Sequence, residues 1–278
     1  MSEFLGRVAV VTGAGSGMGR TLALGLARRG ARLAVSDVDT EGLAATVGLL
    51  EGLGADVRSD RLDVSERESV LHYADAVVEH FGVVNQVYNN AGIAFSGSIL
   101  ESEFKDIERV LDVDYWGVVN GTKAFLPHLI ASGDGHVINT SSLYGILALP
   151  RQSAYNSAKF AVRGFTESLR LEMFAGGHPV RVTCVHPGGV KTNVANNAGH
   201  AGPTKDEAET ALYNEKLLRM SPEKAAEIIL DGVAKNRARV LVGNDARGLD
   251  LMVRVLGSWY QRPMLEVLKR VMPSTKRT

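Results

Sequence analysis

Short runs of β-branched residues alternate with longer stretches of helical period along almost the whole chain, and this alternation constrains the fold most. Strand-like runs fall at Arg7–Thr12, Ala31–Asp37, Asp56–Asp63, Val83–Asn89, His136–Ser141, Val180–His186 and Arg239–Val242. Between them the spacing predicts helices over Gly17–Arg29, Glu41–Leu53, Phe104–Ile130, Ser153–Phe174 and Ser221–Lys235. A further helix is predicted to start at a capping box, Ser65-Glu66-Arg67-Glu68, and to run to Phe81. Gly30 is placed to end the first helix, Pro127 to kink the last turn of the long one, and Ser221-Pro222 to open the sixth. Strands that alternate with helices form a parallel sheet covered on both faces, and right-handed crossovers make it doubly wound. The expected architecture is therefore an α/β fold with a seven-stranded parallel sheet and helices on both faces.

The chain has 30 glycines among 278 residues, an excess over the usual ~7%. Several sit in Thr12-Gly13-Ala14-Gly15-Ser16-Gly17-Met18-Gly19, which follows the first strand and opens the first helix. Glycine lets backbone approach a phosphate closely, and a helix N-terminus offers free N–H groups and partial positive charge to it. Asp37 ends the second strand, where an acid can accept hydrogen bonds from an adenosine ribose 2′-hydroxyl. Its charge would repel a 2′-phosphate, and neither Ser16 nor Val38 is basic. The pattern predicts a dinucleotide site, with NAD favoured over NADP.

Tyr155 and Lys159 lie four residues apart in a predicted helix and share a face. A phenol titrates near pH 10 and is a poor acid or base at neutrality; a neighbouring ammonium favours phenolate and lowers that pKa. Ser142, with Ser141 as its rival, stands at the C-terminal end of the fifth strand, where open α/β sheets line their ligand crevice. Strand alternation turns only one of the two serines inward.

Taken together, Thr12-Gly-x-x-x-Gly17-x-Gly19, Asn89-Asn90-Ala91-Gly92, Ser142, Tyr155-x-x-x-Lys159 and Pro187-Gly188 resemble the motif set of the short-chain dehydrogenase/reductase family, in order and at the right spacing over about residues 4–245. The resemblance implies a Rossmann fold and a hydride-transferring oxidoreductase acting on a secondary alcohol or ketone. It implies Tyr155 as acid/base, Lys159 lowering its pKa and binding the nicotinamide ribose, and Ser142 polarising the reacting group. It further implies cofactor contacts at Gly13, Ser16, Gly17, Met18, Gly19, Asp63, Val64, Asn90, Gly92, Pro187, Gly188, Val190 and Thr192. The family usually has an asparagine in the long helix, where it helps hold a water of a proton relay; here the matching residue is Asp114. An ionised Asp114 can still hold a water, and it also stabilises Lys159 as a cation and partly cancels its pull on Tyr155. A non-catalytic dinucleotide sensor, or an NAD-dependent epimerase or dehydratase, are the alternative readings.

Composition narrows the rest. The 31 basic and 31 acidic residues cancel, which argues against bulk binding to nucleic acid. A lone cysteine, Cys184, forms no internal disulfide and fits a reducing compartment; with no leader-like start, the expectation is a cytoplasmic protein. The seven histidines make no metal-ligand spacing; His186 is expected to pack at a strand end rather than to line the cleft. The chain is expected to be one catalytic domain, with residues 192–220 as a substrate lid and 244–278 as a C-terminal extension. Val194, Ala195, Leu212, Tyr213 and Leu217 in the lid suggest a substrate with an apolar body. The tail is basic and amphipathic, suited to dock on the domain or a partner subunit, with contact to an anionic membrane the less favoured option. The family resemblance implies a homodimer or homotetramer.

Overall fold

The computed structural model describes residues 3–192, 198–201 and 218–271. Most of the predicted lid, including Val194, Ala195, Leu212, Tyr213 and Leu217, lies outside the described residues, as do Lys276 and Arg277 of the tail.

The elements run β1 (Val8–Thr12), α1 (Gly17–Ala27), β2 (Arg32–Asp37), α2 (Thr40–Glu51), β3 (Val57–Arg61), α3 (Arg67–Phe81), β4 (Gln86–Asn89), β5 (Phe95–Ser96), α4 (Phe104–Leu111), α5 (Gly117–Ala131), β6 (Gly135–Thr140), α6 (Ser153–Ala175), β7 (Val180–Pro187), β8 (Gly199–His200), α7 (Pro222–Ala234), β9 (Arg239–Val242), α8 (Asn244–Leu256) and α9 (Gln261–Val271). Seven strands form one parallel sheet in the order β3-β2-β1-β4-β6-β7-β9. The expected doubly wound Rossmann architecture is present, and its strand order reverses between β1 and β4, where such folds open a ligand crevice.

Alternation along β1 shows why the sheet is covered twice. Ala9 and Val11 join a core with Leu22, Ala23 and Leu26 of α1 and Ile229, Leu230 and Val233 of α7. Val8 and Val10 face the opposite core, built with Val70, Tyr73 and Val77 of α3 and Phe125 and Leu129 of α5. Each fully buried side chain of this kind contributes roughly 1.5–3 kcal/mol. Gly30 takes φ +81° just past α1, as expected of a helix-ending glycine, and Ser221 accepts from the Lys224 N–H at 3.2 Å to cap α7.

Four features depart from the sequence reading. The capping box at Ser65 does not form: α3 starts one residue later behind Glu66, and the Ser65 hydroxyl instead donates to Asp63 Oδ1 at 2.6 Å. The predicted single helix Phe104–Ile130 is two, α4 and α5, joined by a π-helical turn at Asp112–Trp116; periodicity cannot register one wide turn inside a helix. Pro127 stands four residues before the end of α5, near its end as the sequence reading placed it. A two-stranded sheet of β5 and β8 is too short to leave a pattern. The tail forms helices α8 and α9, separated by a 3-10 turn at Gly257–Tyr260.

Polar groups sewn through the core fix the sheet at its centre. Asn89 Nδ2 on β4 donates to Asn139 Oδ1 on β6 at 2.8 Å and to Thr122 Oγ1 on α5 at 3.1 Å. Asn139 Nδ2 donates onward to Thr166 Oγ1 on α6 at 3.1 Å. Gly121 has no room for a Cβ, which would stand 2.1 Å from Asn89 Oδ1. Asn139→Ala strands buried partners on two sides and is expected to cost about 2–4 kcal/mol, read as a lowered urea midpoint with an unchanged slope.

Candidate active site

The glycine turn after β1 is built to keep side chains away. Gly13 takes φ +67°, and a Cβ there would stand 2.7 Å from Ala91 Cα; at Gly19 it would stand 1.9 Å from the Gly13 carbonyl oxygen. Gly17 takes φ +52°, opens α1 and faces Thr192, so Thr192 reaches the turn across most of the sequence. Ser16 is the N-cap of α1, and Met18 lies in its first turn. Asp37 closes the turn from β2: its Oδ2 accepts from the Gly15 N–H at 2.8 Å and its Oδ1 from the Asp39 N–H at 3.0 Å. The tight turn and helix start offer N–H donors and the strand-end carboxylate offers acceptors, the combination that a dinucleotide's pyrophosphate and ribose require.

Three residues that sequence reasoning passed over complete this turn. Arg20 donates to the carbonyl oxygens of Gly15 and Gly42 and to Thr46 Oγ1, the last at 2.8 Å. Thr46 donates to the Ala14 carbonyl at 2.8 Å. Gly42 is needed because a Cβ would stand 2.8 Å from the Gly15 oxygen and 2.4 Å from Asp39 Oδ2. The signal for Arg20 was its place directly after the last glycine of the motif; Gly42 had none, because its constraint is a contact with a distant turn.

Across the switch point, Thr12 ties β1 to the end of β4. Its Oγ1 accepts from the N–H groups of Asn90 and Ala91, both at 3.1 Å, while Asn90 Nδ2 donates to the Thr12 carbonyl at 3.1 Å. Asn90 Oδ1 is buried without a hydrogen-bond partner. Asp63 and Val64 sit in the turn before α3; Asn120 Nδ2 donates to the Val64 carbonyl at 3.0 Å. Gly117 lets α5 press on Val64, where a Cβ would come within 2.6 Å of Cγ2.

The titratable centre lies beside Gly92. The π turn carries Asp114 inward, fully buried, and brings its Oδ2 to 3.2 Å from Lys159 Nζ on α6. Asp114 Oδ1 accepts from the Ile93 N–H at 2.7 Å, and Lys159 Nζ also donates to the Thr140 carbonyl at 3.3 Å. A Cβ on Gly92 would stand 3.2 Å from Asp114 Oδ1 and 3.3 Å from Lys159 Nζ. Burial pushes the Asp114 carboxyl above its usual range, opposed by the Lys159 ammonium and the Ile93 N–H. Burial pulls Lys159 down, but the Asp114 carboxylate and the Tyr155 phenol outweigh it and raise its pKa, so it is an ammonium at neutral pH. That ammonium stands 5.5 Å from the centre of the Tyr155 ring.

The two serines separate cleanly. Ser141 Oγ is spent in donating to the Lys159 carbonyl at 2.8 Å, so it secures α6 to the sheet. Ser142 begins the next turn, where its Oγ accepts from the Tyr144 N–H at 3.1 Å. The Tyr144 ring meets the Tyr155 ring edge to face at 5.7 Å. Asn156, unremarked in the sequence, holds this loop by donating to the carbonyls of Tyr144 at 2.7 Å and Leu147 at 2.9 Å. His186 is buried and its Nδ1 stands 2.9 Å from the Ser142 carbonyl, a strand-end packing role as expected. Pro187 ends β7; Gly188 and Gly189 pass over Asp245, whose Oδ2 accepts from the Gly189 N–H at 2.8 Å. Val190 is buried and bridges to Met220. Asp245 belongs to the tail, which thus supports the segment carrying Pro187 and Gly188.

A strand–turn–helix dinucleotide cradle beside a serine, a tyrosine and a lysine defines a class of nicotinamide-dependent oxidoreductases. The short chain dehydrogenase family model matches residues 7–202, and the chain belongs to that family. It is 61% identical over 276 residues to the putative oxidoreductase SadH of Mycobacterium tuberculosis, covering 99% of this chain and all of that one. It is 30% identical to estradiol 17-beta-dehydrogenase 11 of Rattus norvegicus, over 95% of this chain and 83% of the relative. Among solved structures, a short chain dehydrogenase/reductase from Burkholderia phymatum in complex with NAD superposes with a TM-score of 0.86 at 31% identity, covering 94% of this chain and 97% of that one.

Two buried histidines give the protein an acid limit. Burial pushes His186 down to about 4 and His136 down to about 3. Both are neutral in the folded protein where the unfolded chain binds a proton, so their stability is full above about pH 6.5 and lost as pH falls. Between pH 6.5 and 4 each is expected to remove about 1.4 kcal/mol per pH unit. Urea midpoints measured across that window should fall accordingly, and the slope should lose one proton in His136→Asn.

Proposed function

We propose that the protein transfers hydride between NAD(H) and a secondary alcohol or ketone with an apolar body. The observation that carries this is the convergence of Ser142, Tyr155 and Lys159 beside the glycine turn, at the C-terminal ends of parallel strands. Gly13, Ser16, Gly17, Met18 and Gly19 would hold the pyrophosphate. Asp37 would take the adenosine ribose, and its carboxylate beside Gly15 favours a 2′-hydroxyl over a 2′-phosphate. Asp63 and Val64 would flank the adenine, while Asn90, Gly92, Pro187, Gly188, Val190 and Thr192 would surround the nicotinamide end. When bound, the nicotinamide supplies the hydride acceptor or donor. NAD in the Burkholderia phymatum relative supports that choice of cofactor, and the rat estradiol dehydrogenase supports a secondary alcohol on an apolar skeleton.

The chain's own groups would handle the proton. In the oxidative direction Tyr155 as phenolate takes the hydroxyl proton of the substrate, and in reduction the phenol returns it to the carbonyl oxygen. Lys159, held cationic by Asp114, stabilises the phenolate. Ser142 Oγ donates to the reacting oxygen and keeps it in register with the phenol. Tyr155→Phe is expected to lower kcat by about 10²–10⁴-fold while NAD binding, followed by quenching of tryptophan fluorescence, stays nearly unchanged. Net formation of reduced nicotinamide, read by absorbance, distinguishes a dehydrogenase from an epimerase or a sensor; wild-type-like turnover in Tyr155→Phe would remove the assignment.

Asp114 partly cancels the pull of Lys159 on Tyr155. Replacing Asp114 by Asn removes that negative charge and keeps the shape, so the acid limb of the oxidative kcat profile is expected to move by about one pH unit, down where Lys159 keeps its proton and up where burial without a counter-charge strips it. A profile that overlays the wild type would show that Asp114 acts by packing alone.

A further inference from the structure

The tail leaves one face unused. Ala246 and Asp250, four apart on α8, turn inward and are buried, as is Tyr260, whose hydroxyl accepts from the Ala148 N–H at 2.7 Å. Asp250 is held by Arg239 at 3.3 Å and Arg254 at 2.8 Å. The inner face is thereby docked on the chain's own sheet edge. Outward stand Leu251, Val255 and Trp259, with 63%, 73% and 78% of their surface exposed. Arg247, Leu251 and Val255 share one side of α8 at i, i+4 and i+8 spacing, while Trp259 lies in the turn beyond Gly257 and Arg262 at the start of α9.

Charge decides what this face can meet. From Asn244 to Thr278 the sequence has seven Lys and Arg against three acids, Asp245, Asp250 and Glu266, although the whole chain is neutral. Asp250 is buried and Glu266 is already paired with Lys269 at 3.0 Å. An isologous contact would set this basic face against its own copy, with Asp245 already engaged by the Gly189 N–H and Glu266 by Lys269. An apolar stripe with an exposed tryptophan and a basic border matches the headgroup region of an anionic bilayer.

We propose that the outward face of α8 and α9 docks on an anionic phospholipid surface. Trp259, Val255 and Leu251 enter the interface and Arg247 and Arg262 meet lipid phosphates. The docked tail also touches the catalytic edge of the sheet, through Asp245 on the Gly189 N–H and Tyr260 on Ala148. Membrane contact therefore keeps that edge beside the surface.

Flotation with phosphatidylcholine vesicles, with and without about one third phosphatidylglycerol, tests this on the full chain. The protein is expected to float only with the anionic vesicles, with a blue shift of tryptophan emission that is missing in Trp259→Gln. Arg247→Gln with Arg262→Gln should weaken partitioning about fivefold per cation removed, and raised salt should release the wild type. Circular dichroism and basal turnover of these variants should match the wild type, since none of the three residues touches the catalytic groups. Failure of the wild type to bind either vesicle overturns the proposal. So does a smaller particle for Val255→Gln by light scattering without any vesicle binding by the wild type, which would assign the face to a second copy. Binding that is equal on neutral and anionic vesicles also overturns it.

Discussion

A lysine ammonium taken almost wholly out of water must face an opposite charge, and the buried pair of Lys159 and Asp114 is the constraint around which the site is arranged. Only 4% of the Lys159 side chain and none of Asp114 remains accessible. Removing one partner from such a pair leaves an uncompensated charge and typically costs several kcal/mol. The pair fixes the phase of α5 relative to α6 through the π turn that carries Asp114, and it fixes Gly92, which stands against both groups. It also secures the end of β6 through the Thr140 carbonyl. The turn that interrupts a regular helix is thus the price of aiming one carboxylate inward.

The same pair links architecture to chemistry. The paired lysine is an ammonium at neutral pH and stands 5.5 Å from the centre of the Tyr155 ring. Around it, most of the polar side chains serve to hold others. Ser141 and Asn156 fix the helix and loop that present Tyr155 and Ser142, while Arg20 and Thr46 support the glycine turn from below. Asp245 and Tyr260 show that the tail is part of this support and not an appendage.

The alternation of strands and helices was legible because a parallel sheet with two covered faces requires continuous apolar strands and amphipathic helices in turn. The glycine turn, Asp37, Ser142, Tyr155 and Lys159 were legible because each depends on a local element: a strand end, a helix start or an i, i+4 face. What Ser141 does was not, since it rests on its hydroxyl finding the carbonyl of Lys159 eighteen residues on. The broken long helix escaped for a related reason. A π turn preserves an apolar stripe on both sides and betrays itself only through the partner that Asp114 reaches.

By itself, then, the sequence determined the fold class, the seven strands of the main sheet and the motifs that place the chain in its family. Those are properties of local periodicity, of glycine's missing side chain and of side-chain chemistry. Tertiary structure decided how Asp114 meets Lys159, why Gly42 has no side chain, where Thr192 lies against Gly17 and which face of the tail is left outward. Each of these is a contact between segments far apart in the chain, and the energy that settles it, whether steric exclusion or the pairing of buried charge, exists only once those segments are packed together.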